Sequence, residues 1–180
     1  MRIAVNTRFL LPHKLEGFGV FTHEVMRRIT AAHPEHEFLF LFDRSFDEQF
    51  IYSSNIIPQV VYPQARHPLL WYTWFEWALP RVFKRYQPDL FLSPDGYLSL
   101  SSRVPSVPVI HDLAFEHYPD AVPALVRRYY RYFFPKFAAK AKAIATVSDY
   151  SKQDLIKQYQ VPPDKVQVVY NGAGEHFQPL

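Results

Sequence analysis

Cysteine is absent from this 180-residue chain, which excludes disulfides and thiolate metal sites. Long apolar runs are absent too: none approaches the ~18 residues that a membrane-spanning helix needs. The opening Met1-Arg-Ile-Ala-Val-Asn-Thr7 passes straight into a strand pattern. It lacks the apolar region and small-residue cleavage site of a secretory leader, so a cytoplasmic protein is expected. Charge imbalance is slight. Twenty Lys and Arg against seventeen Asp and Glu give a net +3, too little to argue for a nucleic-acid partner. No cluster of His, Asp and Glu has metal-ligand spacing, His33, His36 and His117 included, so neither a metal nor a cofactor is expected. Internal repeats and low-complexity segments are missing as well.

What is present is an ordinary globular composition, 48% hydrophobic and 21% charged. At this length one domain is expected over 1–180, burying roughly 70% of its unfolded surface. Strand patterns fall at 3–5, 37–42, 56–62, 89–93, 107–111, 143–147 and 166–169, and helical patterns at 20–32, 69–86, 123–140 and 150–159. Repeated strand–helix alternation predicts an α/β, Rossmann-like, doubly wound and mainly parallel sheet with helices on both faces. Proline sits at many predicted boundaries; Pro80 and Pro135 lie inside helical patterns, where a break or kink is expected.

Three apolar runs end in polar clusters: Val107-Pro-Val-Ile-His-Asp112, Ala143-Ile-Ala-Thr-Val-Ser-Asp149 and Val166-Gln-Val-Val-Tyr-Asn-Gly172. On parallel strands these clusters gather at the carboxyl edge, where open α/β sheets bind ligands. The loop Lys14-Leu-Glu-Gly-Phe-Gly-Val20 joins them from the first strand. Its glycines allow close backbone approach, and the amides that open the following helix suit a phosphate or a hydroxyl; a plain turn into a helix explains the same residues. Glu16 in this loop repels phosphate, which favours a hydroxyl. With Asp43 ending the second strand, a nicotinamide-binding domain is the rival reading, but some ten residues precede the first glycine and the third fingerprint position is Thr22.

His111-Asp112-Leu113, then Thr146-Val147-Ser148-Asp149-Tyr150-Ser151, then Val169-Tyr170-Asn171-Gly172 followed by Phe177-Gln178-Pro179, closely resemble the amino-terminal half of retaining glycosyltransferases of family 4, the group 1 transferases. The resemblance runs from Arg2 to the end and is strongest from Pro108 onward. It implies one half of a two-domain GT-B fold, with 171–180 starting the hinge, Asn171-Gly172 at its head, to a nucleotide-sugar-binding domain beyond this chain. Related transferases carry two adjacent glycines and a basic residue in the first loop; here Glu16 and Val20 stand at two of those places.

The resemblance implies that His111 hydrogen-bonds the transferred sugar near its reacting carbon, a positioning and charge-stabilising task. Without the family, a histidine ending an apolar strand is equally readable as structural. Asp112 and Glu116 invite comparison with a glycosidase pair, but adjacent loop acids are more often solvated or capping. The resemblance implies retention by front-side attack, with the departing diphosphate deprotonating the acceptor. Gly17, Phe18, Gly19, Asp95, Asp112 and Ser148 are the expected acceptor- or sugar-binding residues, together with His111 as catalytic residue. Ser151 and Asp154 form a capping-box pattern.

The function expected is hexosyl transfer from a nucleotide-sugar donor to a saccharide or lipid-linked acceptor, with this chain alone inactive. The alternative is a freestanding, non-catalytic carbohydrate- or nucleotide-binding module. Two segments raise peripheral membrane contact. The basic residues Arg127, Arg128, Arg131, Lys136, Lys140 and Lys142 alternate with aromatics, which reads either as a solvated helix face or as a surface for anionic lipid. In 71–86 a stripe of Trp71, Phe75, Leu79, Val82 and Tyr86 is expected in the core, while Trp74 and Trp77 share a side with Arg81, Lys84 and Arg85.

Overall fold

The computed structural model describes residues 1–172. Every strand pair in it is parallel. Strands β1 (Arg2–Asn6), β2 (Glu37–Phe42), β3 (Ile56–Val60), β4 (Leu90–Ser93) and β5 (Ser106–Pro108) form a sheet in the order β3-β2-β1-β4-β5. Strands β6 (Ile144–Thr146) and β7 (Val166–Val168) pair with each other and continue that sheet. The join is a parallel bridge between Val109 and Ala145, with the Ile110 amide donating to the Ala145 carbonyl at 2.9 Å.

The alternation within β2 shows why the sheet is wound on both faces. Successive strand side chains point to opposite sides, and all of Phe38–Phe42 is buried. Leu39 and Leu41 join one core cluster with Ala4, Phe91, Phe137 and Leu155. Phe38, Phe40 and Phe42 join the other with Val5, Met26 and Phe50. Helix α1 (Gly17–Ala32) covers the second face; α2 (Pro68–Thr73), α3 (Leu79–Tyr86), α5 (Ala124–Lys140) and α6 (Asp149–Tyr159) serve the first. A short helix, α4 (Ala114–His117), follows the β5 loop. Pro58 is tolerated because β3 lies at the sheet edge, where its missing N–H leaves no partner wanting.

The two internal prolines behave differently. At Pro80 the helix widens: Trp74–Ala78 is a π turn between α2 and α3, closed by the Leu79 amide on the Trp74 carbonyl. The longer ring makes room ahead of the imide nitrogen. At Pro135 no break occurs and α5 runs on to Lys140.

The π turn also corrects the reading of the tryptophans. It shifts the phase of the helix away from 100° per residue, so Trp74 turns into the core beside Phe75, fully buried, and donates Nε1–H to the Val61 carbonyl at 2.8 Å. Trp77 stays exposed with Arg81, whose guanidinium carbon lies 5.9 Å from its ring centre. Among the described residues no helix is long and apolar enough to cross a membrane.

Candidate active site

Parallel strands deliver the loops after β1, β5 and β7 to one edge, and a cleft of about 660 Å³ opens between them. One wall is the first two turns of α1, from Gly17 and Phe18 to Glu24 and Val25; the floor is His111 and Asp112; the far rim is Val169 to Gly172. No lysine or arginine lines it among the described residues.

His111 is held at three points. Its Nε2 lies 2.9 Å from the Pro94 carbonyl oxygen; a carbonyl only accepts, so Nε2 carries the proton and Nδ1 is the acceptor of the neutral ring. Phe18 and Phe21, one helical turn apart on α1, meet the imidazole edge to face at 4.9 and 4.8 Å. The His111 carbonyl accepts from the Ser151 hydroxyl at 2.8 Å, which ties the residue to the start of α6. A ring fixed this way offers its remaining nitrogen, Nδ1, in one orientation, as substrate positioning requires.

The start of α1 faces the same space. Glu16 precedes the helix without a side-chain cap, and the first turn holds no acid, so its leading amides and the positive end of the helix dipole remain available to a polar ligand. The two loop glycines do unlike things. Gly17 sits at φ +30° with open space around it. Gly19 is buried, and a Cβ there would lie 2.6 Å from the Phe9 carbonyl oxygen. Gly19 therefore sets how closely α1 packs on the β1 loop. Gly19→Ala is expected to cost about 1–3 kcal/mol through forced backbone displacement, measured as a shifted urea midpoint with unchanged slope.

Beneath His111 a second pocket of about 100 Å³ lies among Phe9, Phe18, Tyr97, Tyr130 and Asp95. Asp95 is buried and engaged on both oxygens. Oδ1 accepts from the Asn6 amide nitrogen at 2.8 Å, the Ser93 hydroxyl at 3.0 Å and the Tyr97 backbone at 3.3 Å; Oδ2 accepts from Arg8 Nε at 2.7 Å. Burial works against the charge on Arg8, but Asp95 and then Tyr97 outweigh it and hold the guanidinium above its ordinary pKa. Four aromatic rings surround Arg8, with Tyr97 nearest at 4.3 Å. Burial in turn raises the Tyr97 hydroxyl well above its ordinary range, opposed by Arg8.

The sequence pattern of Glycosyltransferase Family 4 matches residues 15–174. The chain belongs to that family. Among curated proteins it is similar to the O-antigen chain mannosyltransferase RfbU of Salmonella typhimurium, 24% identical over 121 residues, which is 67% of this chain and 33% of that protein. Among solved structures it is similar to Anabaena Alr3699/HepE in complex with UDP and glucose, at TM-score 0.59 and 16% identity, covering 96% of this chain and 45% of that one. A UDP-N-acetylglucosamine 2-epimerase superposes at TM-score 0.60 and 14% identity, covering 93% of this chain and 47% of that one. The chain thus spans about a third of the matched curated relative and under half of each of these structures. At these identities the structures share the fold, and the Rossmann-like half of the GT-B architecture is what this family member displays.

Within this family 4 chain, the cleft gathers Gly17, Phe18, His111, Asp112, Asn171 and Gly172. Asp95 lies one layer below, Gly19 is packed away, and Ser148 caps α6 by accepting from the Ser151 amide at 3.1 Å. Asp112 accepts from the Ala114 amide at 2.8 Å and so also shapes the turn into α4. The capping role expected of Ser151 belongs to Ser148, while Asp154 accepts from or pairs with His117 Nε2 at 2.7 Å. The part of the expected hinge beyond Gly172, with Phe177-Gln178-Pro179, lies outside the described residues. Phe21 and Arg8 are the residues that sequence reasoning missed. Arg8 left one trace, a charge two residues after the first strand and just before Phe9-Leu-Leu.

Proposed function

We propose that this chain is the acceptor-side half of a glycosyltransferase that moves a hexose from a nucleotide-sugar donor to a saccharide or lipid-linked acceptor, with retention. The observation that carries this reading is a cleft at the carboxyl edge with a fixed histidine, an uncapped helix start and no lysine or arginine among the described residues that line it. The hexose sits against His111, which orients it; the acceptor hydroxyl attacks from the face the leaving group departs, and its proton passes to the departing diphosphate. The lack of a cation among the described residues of the cleft supports a division of labour in which the diphosphate is neutralised by a second domain. The mannosyltransferase name of the Salmonella relative and the UDP and glucose of the Anabaena structure support a hexose and a nucleotide.

Metal-independent chemistry is part of the proposal. The cleft's own acids, Glu24 and Asp112, are joined there by His111 alone. The one close cluster among the described residues, His33, Glu35 and His36, lies at the other end of α1, about 24 Å of helix away. We place the enzyme in the cytoplasm with peripheral membrane contact, supported by exposed Trp77 beside exposed Arg81, Lys84 and Arg85.

The test is transfer of labelled hexose, comparing the natural full-length protein with residues 1–180. Transfer by the full-length protein and none by the fragment is expected. Transfer by the fragment overturns the half-enzyme reading; sugar binding without transfer by the full-length protein favours the non-catalytic module.

A further inference from the structure

A buried guanidinium nitrogen without a partner is the molecule's clearest unexplained group. Arg8 is 3% exposed; Nε is paired with Asp95 and Nη1 donates to the Ala65 carbonyl at 3.2 Å, but Nη2 has no hydrogen-bond partner among the described residues. A buried donor of this kind is normally satisfied. Beside it lies a pocket of about 180 Å³ lined by Arg8, Arg66, Phe9, Ala65 and Trp71.

Arg66 brings a second guanidinium to the same wall. Its carbon stands 6.0 Å from the Phe9 ring centre, and that of Arg8 stands 4.8 Å from it. Arg66 is loosely held: its Nε lies 3.7 Å from Asp43, whose oxygens already accept from Arg44 at 2.7 and 3.0 Å and from the Ala65 amide at 2.9 Å. Three guanidinium groups, Arg8, Arg44 and Arg66, thus face two carboxylates, Asp43 and Asp95, and leave positive charge in excess. Arg66 registers the imbalance. Burial lowers its pKa, Asp43 opposes this, and Arg44 and Arg8 lower it further.

We propose that Arg8 and Arg66 form a binding pocket for the phosphoryl group of a phosphate ester, separate from the cleft that holds the hexose. Planar guanidinium forks match phosphoryl oxygens in geometry and charge, and Arg8 Nη2 supplies a donor that no acceptor among the described residues satisfies. The ester's organic part leaves along α2, where Leu69, Leu70 and Tyr72 around Trp71 are exposed. Phe9 is the common wall: it lines both this pocket and the small one beneath His111, and its ring meets Phe18 at 5.6 Å. A phosphate anchored here holds the molecule that bears it one aromatic residue away from the small pocket beneath His111, whose Phe18 also lines the cleft. Identifying that molecule as the glycosyl acceptor rests on the transferase reading; the pocket does not.

Calorimetric titration of the natural full-length protein with inorganic phosphate and with hexyl phosphate tests the proposal. Both are expected to bind, hexyl phosphate more tightly, and Arg66→Ala is expected to weaken both at least tenfold with little change in melting temperature, since its ion pair with Asp43 is long at 3.7 Å and its side chain is 38% exposed. Arg8→Lys, which keeps the charge and loses the fork, is expected to weaken binding as well. Unchanged affinity in Arg66→Ala places any bound phosphate elsewhere and overturns the pocket. Equal or tighter binding of inorganic phosphate overturns the ester assignment in favour of a free anion. Arg66-dependent binding of hexyl phosphate in a protein that transfers no sugar defeats the transferase reading and leaves the pocket standing.

Discussion

Asp95→Ala is expected to destabilise the protein by about 3–5 kcal/mol, because it strands the Arg8 guanidinium in the core without its counter-charge. Both side chains of the pair are under 4% exposed, and the carboxylate also gathers Asn6, Ser93 and Tyr97. The cost belongs to the uncompensated charge rather than to the pair itself. Adding Arg8→Met to Asp95→Ala is therefore expected to recover at least about 1 kcal/mol, a coupling that urea denaturation of the two variants measures. A loss below about 1 kcal/mol for Asp95→Ala alone contradicts the account, since solvent or the surrounding rings would then suffice to hold Arg8.

His111→Ala in the full-length enzyme is expected to lower turnover on the order of 10²-fold, about 3 kcal/mol in transition-state stabilisation. The effect should fall on kcat more than on KM, because a group that positions the reacting carbon acts in the transition state. The structure adds a stability cost that the sequence did not suggest. Removing two edge-to-face contacts, with Phe18 and Phe21, is expected to cost about 1–3 kcal/mol, short of unfolding. Normal turnover with a collapsed melting temperature would make the histidine structural.

How much of this was legible beforehand follows from range. The strands were readable because each is a short apolar run bounded by proline or polar residues, and β2 announces its double burial as Phe38-Leu-Phe-Leu-Phe42. The carboxyl-edge placement of Gly17 and His111 followed from parallel connectivity alone. Trp74 was misread because a π turn has no simple sequence signature: a period of 3.6 residues predicts the wrong side once the helix widens before Pro80. The helical pattern of α1 begins at 20, three residues after the helix itself starts at Gly17, since two glycines disguise a helical turn. The Arg8–Asp95 pair joins residues 87 apart, and no local pattern reports a contact made by folding β1 against β4. Phe21 was read only as part of a helix; its contact with His111 depends on how deeply Gly19 lets α1 settle.

The central claim is that the hexose is seated against His111, and nitrogen NMR of that imidazole in the natural full-length protein tests it most directly. Without substrate, the ring is expected as the Nε2–H tautomer in its neutral form, because Nε2 faces the Pro94 carbonyl. On saturation with a nucleotide hexose that the protein binds, the His111 ring resonances and the backbone amides of Gly17 and Phe18 are expected to shift together. Saturation that leaves the His111 ring and those amides unmoved would place the sugar elsewhere and contradict the account.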